Sequence, residues 1–223
     1  DPGWTDQCRA ELVKLQQGDA ENRTIWKRFI DLSLSEFERV YRRLDVSFDL
    51  CRGESHYHDR LAETVSLLER RGLAVESEGA LVVRLEEEGL PVCIVRKSDG
   101  GFNYATTDIA TVRDRVASFA PSRIVYVTDE RQQLHFQQFF AVCRRLGVTT
   151  GLEHVWFGLM RLPEGTFSTR QGNVIRLEAL LDAAERRARA ILDASESEMP
   201  EEEKRELAAA IGIGAVKYAD LSH

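Results

Sequence analysis

The spacing of apolar residues divides the chain into a helical first part, a short β-rich part and a part in which strands and helices alternate. Two segments, residues 8–17 and 19–44, carry apolar side chains at the three- and four-residue spacing of a helix. Within the second segment, Ser33 or Ser35 is a candidate start of a further helical run, because a glutamate follows three residues later in each case.

The middle of the chain predicts short strands around one helix. Residues 46–50 alternate like a strand, and a helix is expected to open at Ser55 and to close at Gly72. Three β-rich runs separated by Glu- and Gly-containing turns follow. They are residues 73–75, 80–85 and 91–96. We expect these runs to form a small antiparallel meander.

From residue 99 onward the pattern alternates in the order strand, helix, strand, helix, strand. The predicted strands are residues 102–105, 123–127 and 154–160, with a helix at 107–119 and another that ends at Leu146. This order predicts parallel strands joined by right-handed crossovers, and therefore an α/β fold. The second helix is expected to turn one apolar face inward. That face carries Phe136, Phe139, Phe140 and Cys143.

The last part of the chain predicts a polar loop, a short strand and two helices. The loop spans residues 166–173 and the strand 174–177, before a long helix rich in Ala, Arg and Glu. An acidic stretch at 195–206, capped by Ser195 or Ser197, is expected to lead into a final apolar helix at 207–221.

Composition indicates an ordinary globular protein of the cytoplasm. Hydrophobic residues make up 43% and charged residues 30% of the chain, and no apolar run approaches the roughly 20 residues needed to cross a bilayer. The net charge of −7 speaks against strong nucleic-acid binding by this chain alone. The four cysteines lie far apart, which predicts reduced thiols and neither a disulfide framework nor a metal site.

Polar groups follow two successive predicted strands, at the edge where an open α/β sheet forms its ligand site. Tyr104 and Asp108 lie four residues apart at the first junction, and Gln132 and His135 lie at the second. A carboxylate at such an edge suits a guanidinium, which it can hold through two parallel hydrogen bonds. We expect Asp108 to face a cleft that it shares with Gln132 and His135.

Structural alternatives exist for each of these residues. Asp108 is also explained as a first-turn acid favoured by the helix dipole, with Tyr104 as a strand aromatic. Gln132 has the spacing of a capping box with Asp129, and a single histidine on a helix is more often structural than functional. The loop at 166–173 has two interpretations as well: a surface connection, or a phosphate-contacting loop whose donors would be Ser168, Thr169 and Arg170.

Several segments in chain order resemble the class I arginyl-tRNA synthetases. The resemblance spans nearly the whole chain, and the ordered set of segments is more specific than any one of them. It includes Leu-Gln-x-Gly-Asp (15–19), Phe-Asp…Glu-Ser-x-Tyr (48–57), Asp-Gly-Gly-Phe-Asn-Tyr-Ala-Thr-Thr-Asp-Ile-Ala (99–110), Tyr-Val-Thr-Asp…Gln-x-x-His-Phe (126–136), His-Val-x-Phe-Gly-Leu (154–159), Ser-Thr-Arg-x-Gly-Asn-Val-Ile-Arg-Leu (168–177) and Ala-Val-Lys-Tyr-Ala-Asp-Leu (215–221).

The resemblance implies a layout. Residues 99–194 would be the second half of a class I synthetase Rossmann-type parallel sheet. Residues 1–98 would be an insertion region of helices and a small β meander, and 195–223 would be helices that lead towards an anticodon-binding domain. The ATP-gripping element of the His-Ile-Gly-His type would precede Asp1, so the isolated piece is expected to be inactive.

The resemblance also implies roles for individual residues. Tyr104 and Asp108 would contact the side chain of the arginine substrate, and Gln132 would help to hold the amino acid. Four residues would lie near ATP: His135, Phe157, Gly158 and Met160. Three catalytic residues, in the place of the Lys-Met-Ser-Lys-Ser loop, would stabilise the pyrophosphate leaving group: Ser168, Thr169 and Arg170.

The implied activity is that of an arginine–tRNA ligase, which forms arginyl-adenylate from arginine and ATP and transfers the arginyl group to tRNA(Arg). ATP with Mg²⁺ would be a substrate rather than a tightly bound cofactor, and the enzyme is expected to be monomeric and free of membrane. The loop has Thr166 and Gln171 where many relatives carry lysines. The alternative is therefore a catalytically silent synthetase-like module that binds arginine or a partner protein.

Overall fold

The computed structural model describes residues 2–16, 18–158, 161–162, 165–166, 176–195 and 199–222. Its helices are α1 Pro2–Gln16, α2 Ala20–Arg43, α3 Leu61–Arg70, α4 Tyr104–Phe119, α5 Gln133–Arg145, α6 Leu177–Ala194 and α7 Glu201–Leu221. Its strands are β1 Ala74–Ser77, β2 Ala80–Val83, β3 Cys93–Arg96, β4 Arg123–Asp129, β5 Gly151–Phe157, β6 Arg161–Leu162 and β7 Gly165–Thr166.

The chain divides into two compact units. One comprises Asp1–Asp49 and Ser168–Ser222 and is called the helical unit here; the other, Leu50–Phe167, is called the sheet unit. These limits do not coincide with the boundaries expected after residues 98 and 194, which remain a prediction about the family's layout.

Helix α2 of the helical unit is continuous, so the expected new start at Ser33 or Ser35 is wrong. Each of these hydroxyls donates to a carbonyl of the preceding turn, that of Phe29 or Leu32, at 2.8 Å. A serine inside a helix can satisfy its hydroxyl in this way without ending the helix. The true start of α2 is capped by Asp19, whose carboxylate accepts from the Asn22 amide at 3.0 Å.

Helices α6 and α7 pack through small residues. Gly212 of α7 is buried, and a Cβ atom added there would lie 2.6 Å from the Glu185 amide nitrogen and 2.7 Å from the Ala184 carbonyl carbon of α6. The neighbouring small residues Ala188 and Ala208 are buried as well. The two helix backbones therefore approach too closely for any side chain at position 212.

The expected start of the last helix is wrong, whereas its expected end at Leu221 is confirmed. Helix α7 begins at Glu201 rather than at residue 207, because three glutamates form its first turn, where the helix dipole favours negative charge. Ser195 ends α6 instead of starting the next helix, and its hydroxyl donates to the Leu192 carbonyl at 2.6 Å. Ser197 lies outside the described residues, as do residues 174 and 175 of the expected strand. The other two residues of that strand, 176 and 177, form the N-cap and the first residue of α6.

The sheet unit begins with a helical segment and confirms the predicted meander. A 3-10 segment, Glu54–Arg60, runs into α3, and Gly72 follows α3 with a positive φ of 66°, as its predicted role in closing the helix requires. Strands β1, β2 and β3 pair antiparallel in chain order. Residues 46–50, in contrast, form no strand, so that expectation is wrong.

Strands β4 and β5 form a parallel pair, with α5 as the crossover between them. Their register runs from Arg123 opposite Gly151 to Asp129 opposite Phe157. The expected strand at residues 102–105 is wrong: Phe102 makes only an isolated bridge to Arg96.

Helix α4 takes the place of that expected strand, because it begins at Tyr104 and not at the expected residue 107. Asn103 caps the helix, and its side chain accepts from the Tyr104 amide at 3.0 Å. Asp108 therefore lies in the second turn of α4, one turn after Tyr104.

The core of the sheet unit lies between the meander and helices α4 and α5. The predicted inner face of α5 is confirmed, since its four residues are all buried: Phe136, Phe139, Phe140 and Cys143. Two polar contacts add to this packing, one from the middle of α5 and one from its last residue. Gln138 donates to the Val92 carbonyl at 2.9 Å, and Arg145 donates to the Arg84 carbonyl at 2.8 Å.

A buried carboxylate attaches the start of the sheet unit to α4. Asp114 is 3% exposed and pairs with Arg52 at 3.1 Å and with Arg60 at 2.6 Å. Two cations on one buried carboxylate compensate its loss of hydration. No helix in the described parts of the chain combines the length and apolar character that a membrane span requires.

We predict that Gly212→Ala destabilises the helical unit by about 1–3 kcal/mol, the usual cost of overpacking. The reason is that the new methyl group meets backbone atoms of α6, which can move only if the helices separate. Gly214→Ala is the matched control, because no atom lies within 4 Å of an added Cβ at that position.

The control variant should be stabilised by about 0.5–1 kcal/mol, since alanine is the better helix former. Thermal unfolding followed by circular dichroism measures both changes. Equal unfolding temperatures for the two variants would contradict the close packing of α6 on α7.

Candidate functional site

The carboxyl ends of β4 and β5 lie at one edge of the parallel pair, where their last residues, Asp129 and Phe157, are opposite each other. Asp129 caps a 3-10 turn, Glu130–Gln132, that leads directly into α5. Its carboxylate accepts from the Arg131 amide at 2.9 Å and from the Arg131 guanidinium at 2.9 and 3.0 Å. The Arg131 side chain is the main cause that lowers the pKa of Asp129 to about 2.

Asp108 and His135 meet between α4 and α5. Nε2 of His135 lies 2.6 Å from Oδ2 of Asp108, and the two side chains are 29% and 30% exposed. The structure thus brings together residues from the two junctions that the sequence singled out, as the expected shared cleft requires. The roles of both residues towards a ligand remain predictions.

The carboxylates near this edge differ in their partners. Asp114, farther along α4, is paired with two arginines, and Asp129 is paired with Arg131. Asp108 contacts the imidazole of His135, and within the described residues no arginine or lysine forms an ion pair with it. Among the described residues, Asp108 is therefore the one of these three carboxylates that has no arginine or lysine partner.

Tyr104 and Gln132 lie at the same edge but do not hydrogen-bond to Asp108 within the described part of the chain. Tyr104 is 68% exposed and precedes Asp108 by four residues on α4, so both side chains point from the same face of the helix. Gln132 is exposed, and its side chain hydrogen-bonds to Asp129 and helps to lower the pKa of that carboxyl. The Asp129 side chain accepts from the Arg131 amide and not from that of Gln132, so the capping box expected as the alternative is not formed, although Gln132 does contact Asp129.

His154 of β5 is a neighbour of this site that sequence reasoning did not single out. Its ring stacks on Phe136 of α5 at 4.0 Å and 17°, and its Nε2 is hydrogen-bonded to the Thr128 hydroxyl at 2.8 Å. Loss of hydration is the main cause that lowers the pKa of His154. The feature that could have identified His154 is the register of the two strands, because His154 lies opposite Tyr126 on the face that α5 covers.

The residues expected near ATP and pyrophosphate are only partly described. Phe157 and Gly158 are exposed at the carboxyl end of β5, next to the candidate site's edge. Met160 and the three expected catalytic residues Ser168, Thr169 and Arg170 lie outside the described residues, so the geometry of the expected catalytic loop stays a prediction.

The chain belongs to the class I synthetases: residues 3–223 match the family described as "tRNA synthetases class I (R), catalytic domain". This match agrees with a parallel strand pair that carries polar groups at its carboxyl edge. The predicted fold class, an α/β fold with a small parallel sheet of the class I synthetase type, is confirmed.

Curated relatives specify the arginine branch of the class. An arginine–tRNA ligase of Fusobacterium nucleatum is 46% identical over 223 residues, which is 100% of this chain and 39% of that protein. The arginine–tRNA ligase of Azotobacter vinelandii is 47% identical over 230 residues, 98% of this chain and 40% of that protein. The chain thus spans about 40% of the length of these relatives.

Solved structures agree with this assignment. An arginyl-tRNA synthetase from Plasmodium falciparum superposes with a TM-score of 0.84 and 25% identity, over 98% of this chain and 37% of that chain. The arginyl-tRNA synthetase of Thermus thermophilus gives a TM-score of 0.71 over 93% of this chain and 40% of that chain; at 20% identity it supports the fold alone.

We predict that His154 makes stability depend on pH below neutrality. Because folding lowers the pKa of His154 from the ordinary 6.5, the unfolded chain binds a proton more readily. The neutral ring therefore contributes its full stability above about pH 6.5, and this contribution is lost as the pH falls below that value.

Denaturant unfolding at several pH values between about 5 and 8 measures this effect. The His154→Gln variant should lose part of the slope, since glutamine does not titrate. An unchanged slope in that variant would show that other groups cause the pH dependence.

Proposed function

We propose that the protein containing this chain is an arginine–tRNA ligase and that Asp108 binds the guanidinium of its substrate. The observation that carries the proposal is the state of Asp108, a half-buried carboxylate at the sheet edge without an arginine or lysine partner among the described residues. A guanidinium supplies two parallel N–H donors and a charge that matches such a carboxylate.

The proposed reaction has two steps. An oxygen of the arginine carboxylate attacks the α-phosphorus of ATP, the bond to pyrophosphate breaks, and arginyl-adenylate forms. A ribose hydroxyl of the terminal tRNA nucleotide then attacks the arginyl carbonyl carbon, and AMP leaves. Such steps need little covalent chemistry from the protein, so placing the reactants and stabilising charge dominate the catalysis.

The other ligand contacts follow from position at the same edge. We propose that the Tyr104 hydroxyl lies beside the bound guanidinium, because Tyr104 precedes Asp108 by one helical turn and is exposed. Gln132 would contact the amino acid after leaving Asp129. Phe157 and Gly158, at the end of β5, would border ATP together with Met160, while Ser168, Thr169 and Arg170 would contact the pyrophosphate.

Magnesium belongs to the substrate in this proposal. Mg²⁺ commonly binds through substrate phosphates and keeps several waters. We therefore assign it to the ATP phosphates rather than to a site made by this chain.

Assembly and location are part of the same proposal. We propose a monomeric enzyme of the cytoplasm. The cytoplasm is supported by the four free cysteines, of which Cys93 and Cys143 are buried. Burial raises the pKa of both thiols to about 12, which keeps them unreactive. For the layout, we retain residues 99–194 as the catalytic half-domain, 1–98 as the preceding insertion and 195–223 as the helices that follow.

The proposed function predicts arginine-dependent exchange between ATP and pyrophosphate. The full-length protein should incorporate labelled pyrophosphate into ATP with arginine, and far less with lysine, which lacks the planar fork of donors. Calorimetric binding of arginine without any exchange would instead favour the catalytically silent module. Equal exchange with lysine and arginine would contradict the proposal.

A second prediction concerns the charge of Asp108. Asp108→Asn should raise KM for arginine by about 100-fold, because breaking a mostly buried charge pair costs about 3 kcal/mol. The same substitution should reduce the preference for arginine over citrulline, which has the shape of arginine but no charge. Asp31→Asn is the control, since Asp31 lies exposed on α2 and is bonded to Lys27.

Exchange kinetics with both amino acids measure this effect for the unsubstituted protein and the two variants. A preference for arginine that survives Asp108→Asn would exclude Asp108 as the guanidinium contact.

A further inference from the structure

We infer that His135 is a positioning residue that orients Asp108 for the substrate guanidinium. The inference rests on the proposed function and goes beyond it, because the resemblance implies a place near ATP for this histidine. The contact that His135 makes in the structure is with Asp108, at 2.6 Å.

The hydrogen bond occupies one position of the Asp108 carboxylate. An ionised carboxylate only accepts, so Nε2 of His135 must be the donor, and Oδ2 of Asp108 is the acceptor. A carboxylate has about four lone-pair positions, so Oδ1 and the outer side of Oδ2 remain for two N–H groups of a guanidinium. The carboxylate is also 30% exposed, which leaves this side open.

His135 is itself held in place by the core. Its ring lies 5.2 Å from the ring of Phe139 and 5.6 Å from that of Phe136. Phe139 has no exposed surface and Phe136 is 4% exposed, so both are fixed by packing. Because packing against these two rings fixes the His135 imidazole, its hydrogen bond also fixes the orientation of the Asp108 carboxylate. A carboxylate that is already oriented loses less conformational entropy when the ligand binds.

The choice of an imidazole is significant when Asp108 is compared with the other carboxylates of the region. Asp114 and Asp129 are held by arginine side chains, which carry a permanent charge. An arginine in the place of His135 would compete with the substrate for Asp108. A histidine can donate the orienting hydrogen bond without being permanently charged, so the negative charge remains available to the substrate.

Two substitutions in the full-length protein test this role. His135→Leu removes the donor, and His135→Gln keeps an N–H donor of similar reach. We expect His135→Leu to raise KM for arginine about tenfold or more, the factor for losing a hydrogen bond to a charged group. His135→Gln should recover most of that loss, and neither substitution should change KM for ATP.

A double substitution separates positioning from general damage. In the Asp108→Asn background, His135→Leu should have little further effect on KM for arginine, because the carboxylate it orients is gone. Unfolding temperatures of all variants are measured in parallel. A role in folding alone would lower the unfolding temperature of His135→Leu without a selective change in KM for arginine, and would overturn the inference.

Other results would contradict the inference as well. A raised KM for ATP with an unchanged KM for arginine would place His135 on the nucleotide, and equal losses for the Leu and Gln variants would exclude the orienting donor. Absence of arginine-dependent exchange in the unsubstituted protein would overturn the proposed function and this inference together. If the unsubstituted protein shows normal exchange and the His135 variants show no selective change in KM for arginine, only the inference is overturned.

Discussion

The packing of α5 on the parallel strands β4 and β5 holds the candidate site together. Phe139 has no exposed surface, and Phe136 stacks on His154 of β5. These contacts fix the rotation of α5 about its axis. Successive residues of a helix are separated by about 100°, so a rotation by one position would carry His135 away from Asp108. The aromatic core thus sets the geometry of a polar contact at the surface.

The distribution of arginines gives the site its chemical character. Arginine partners neutralise Asp114 inside the sheet unit and Asp129 at the strand end, and these three ion pairs support structure. Asp108 has an imidazole partner and partial exposure. A negative charge that is oriented but not neutralised is what recognition of a guanidinium requires, and this explains how one helix, α4, carries both a structural carboxylate and a proposed binding carboxylate.

Much of the fold was predictable because burial dictates hydrophobic spacing. The antiparallel meander, the parallel pair and the inner face of α5 follow from periodicity and alternation. Two of the errors occurred where a polar residue had two possible uses. Asn103 caps α4 one residue before Tyr104 and thereby ends the expected strand, while Ser33 and Ser35 bond back within α2 instead of capping a new helix.

The sequence predicted that Asp108 and His135 lie close together, but it did not predict the individual hydrogen bonds and stacking contacts of the site. The expected strand order placed Asp108 and His135 at one edge. The two side chains do meet, although Asp108 lies in the second turn of α4 and no strand directly precedes that helix. The stacking of His154 on Phe136 and the sharing of Asp129 between Arg131 and Gln132 depend on register and rotamers. One sequence does not fix these details. The expected catalytic residues at 168–170 lie outside the described residues.

The central claim is that Asp108, held by His135, receives the guanidinium of arginine. A crystal structure of the full-length protein with bound arginine tests it most directly. The account predicts two guanidinium nitrogens within hydrogen-bond distance of the Asp108 oxygens, with Nε2 of His135 still donating to Oδ2. A guanidinium bound elsewhere, or His135 turned away from Asp108, would contradict it.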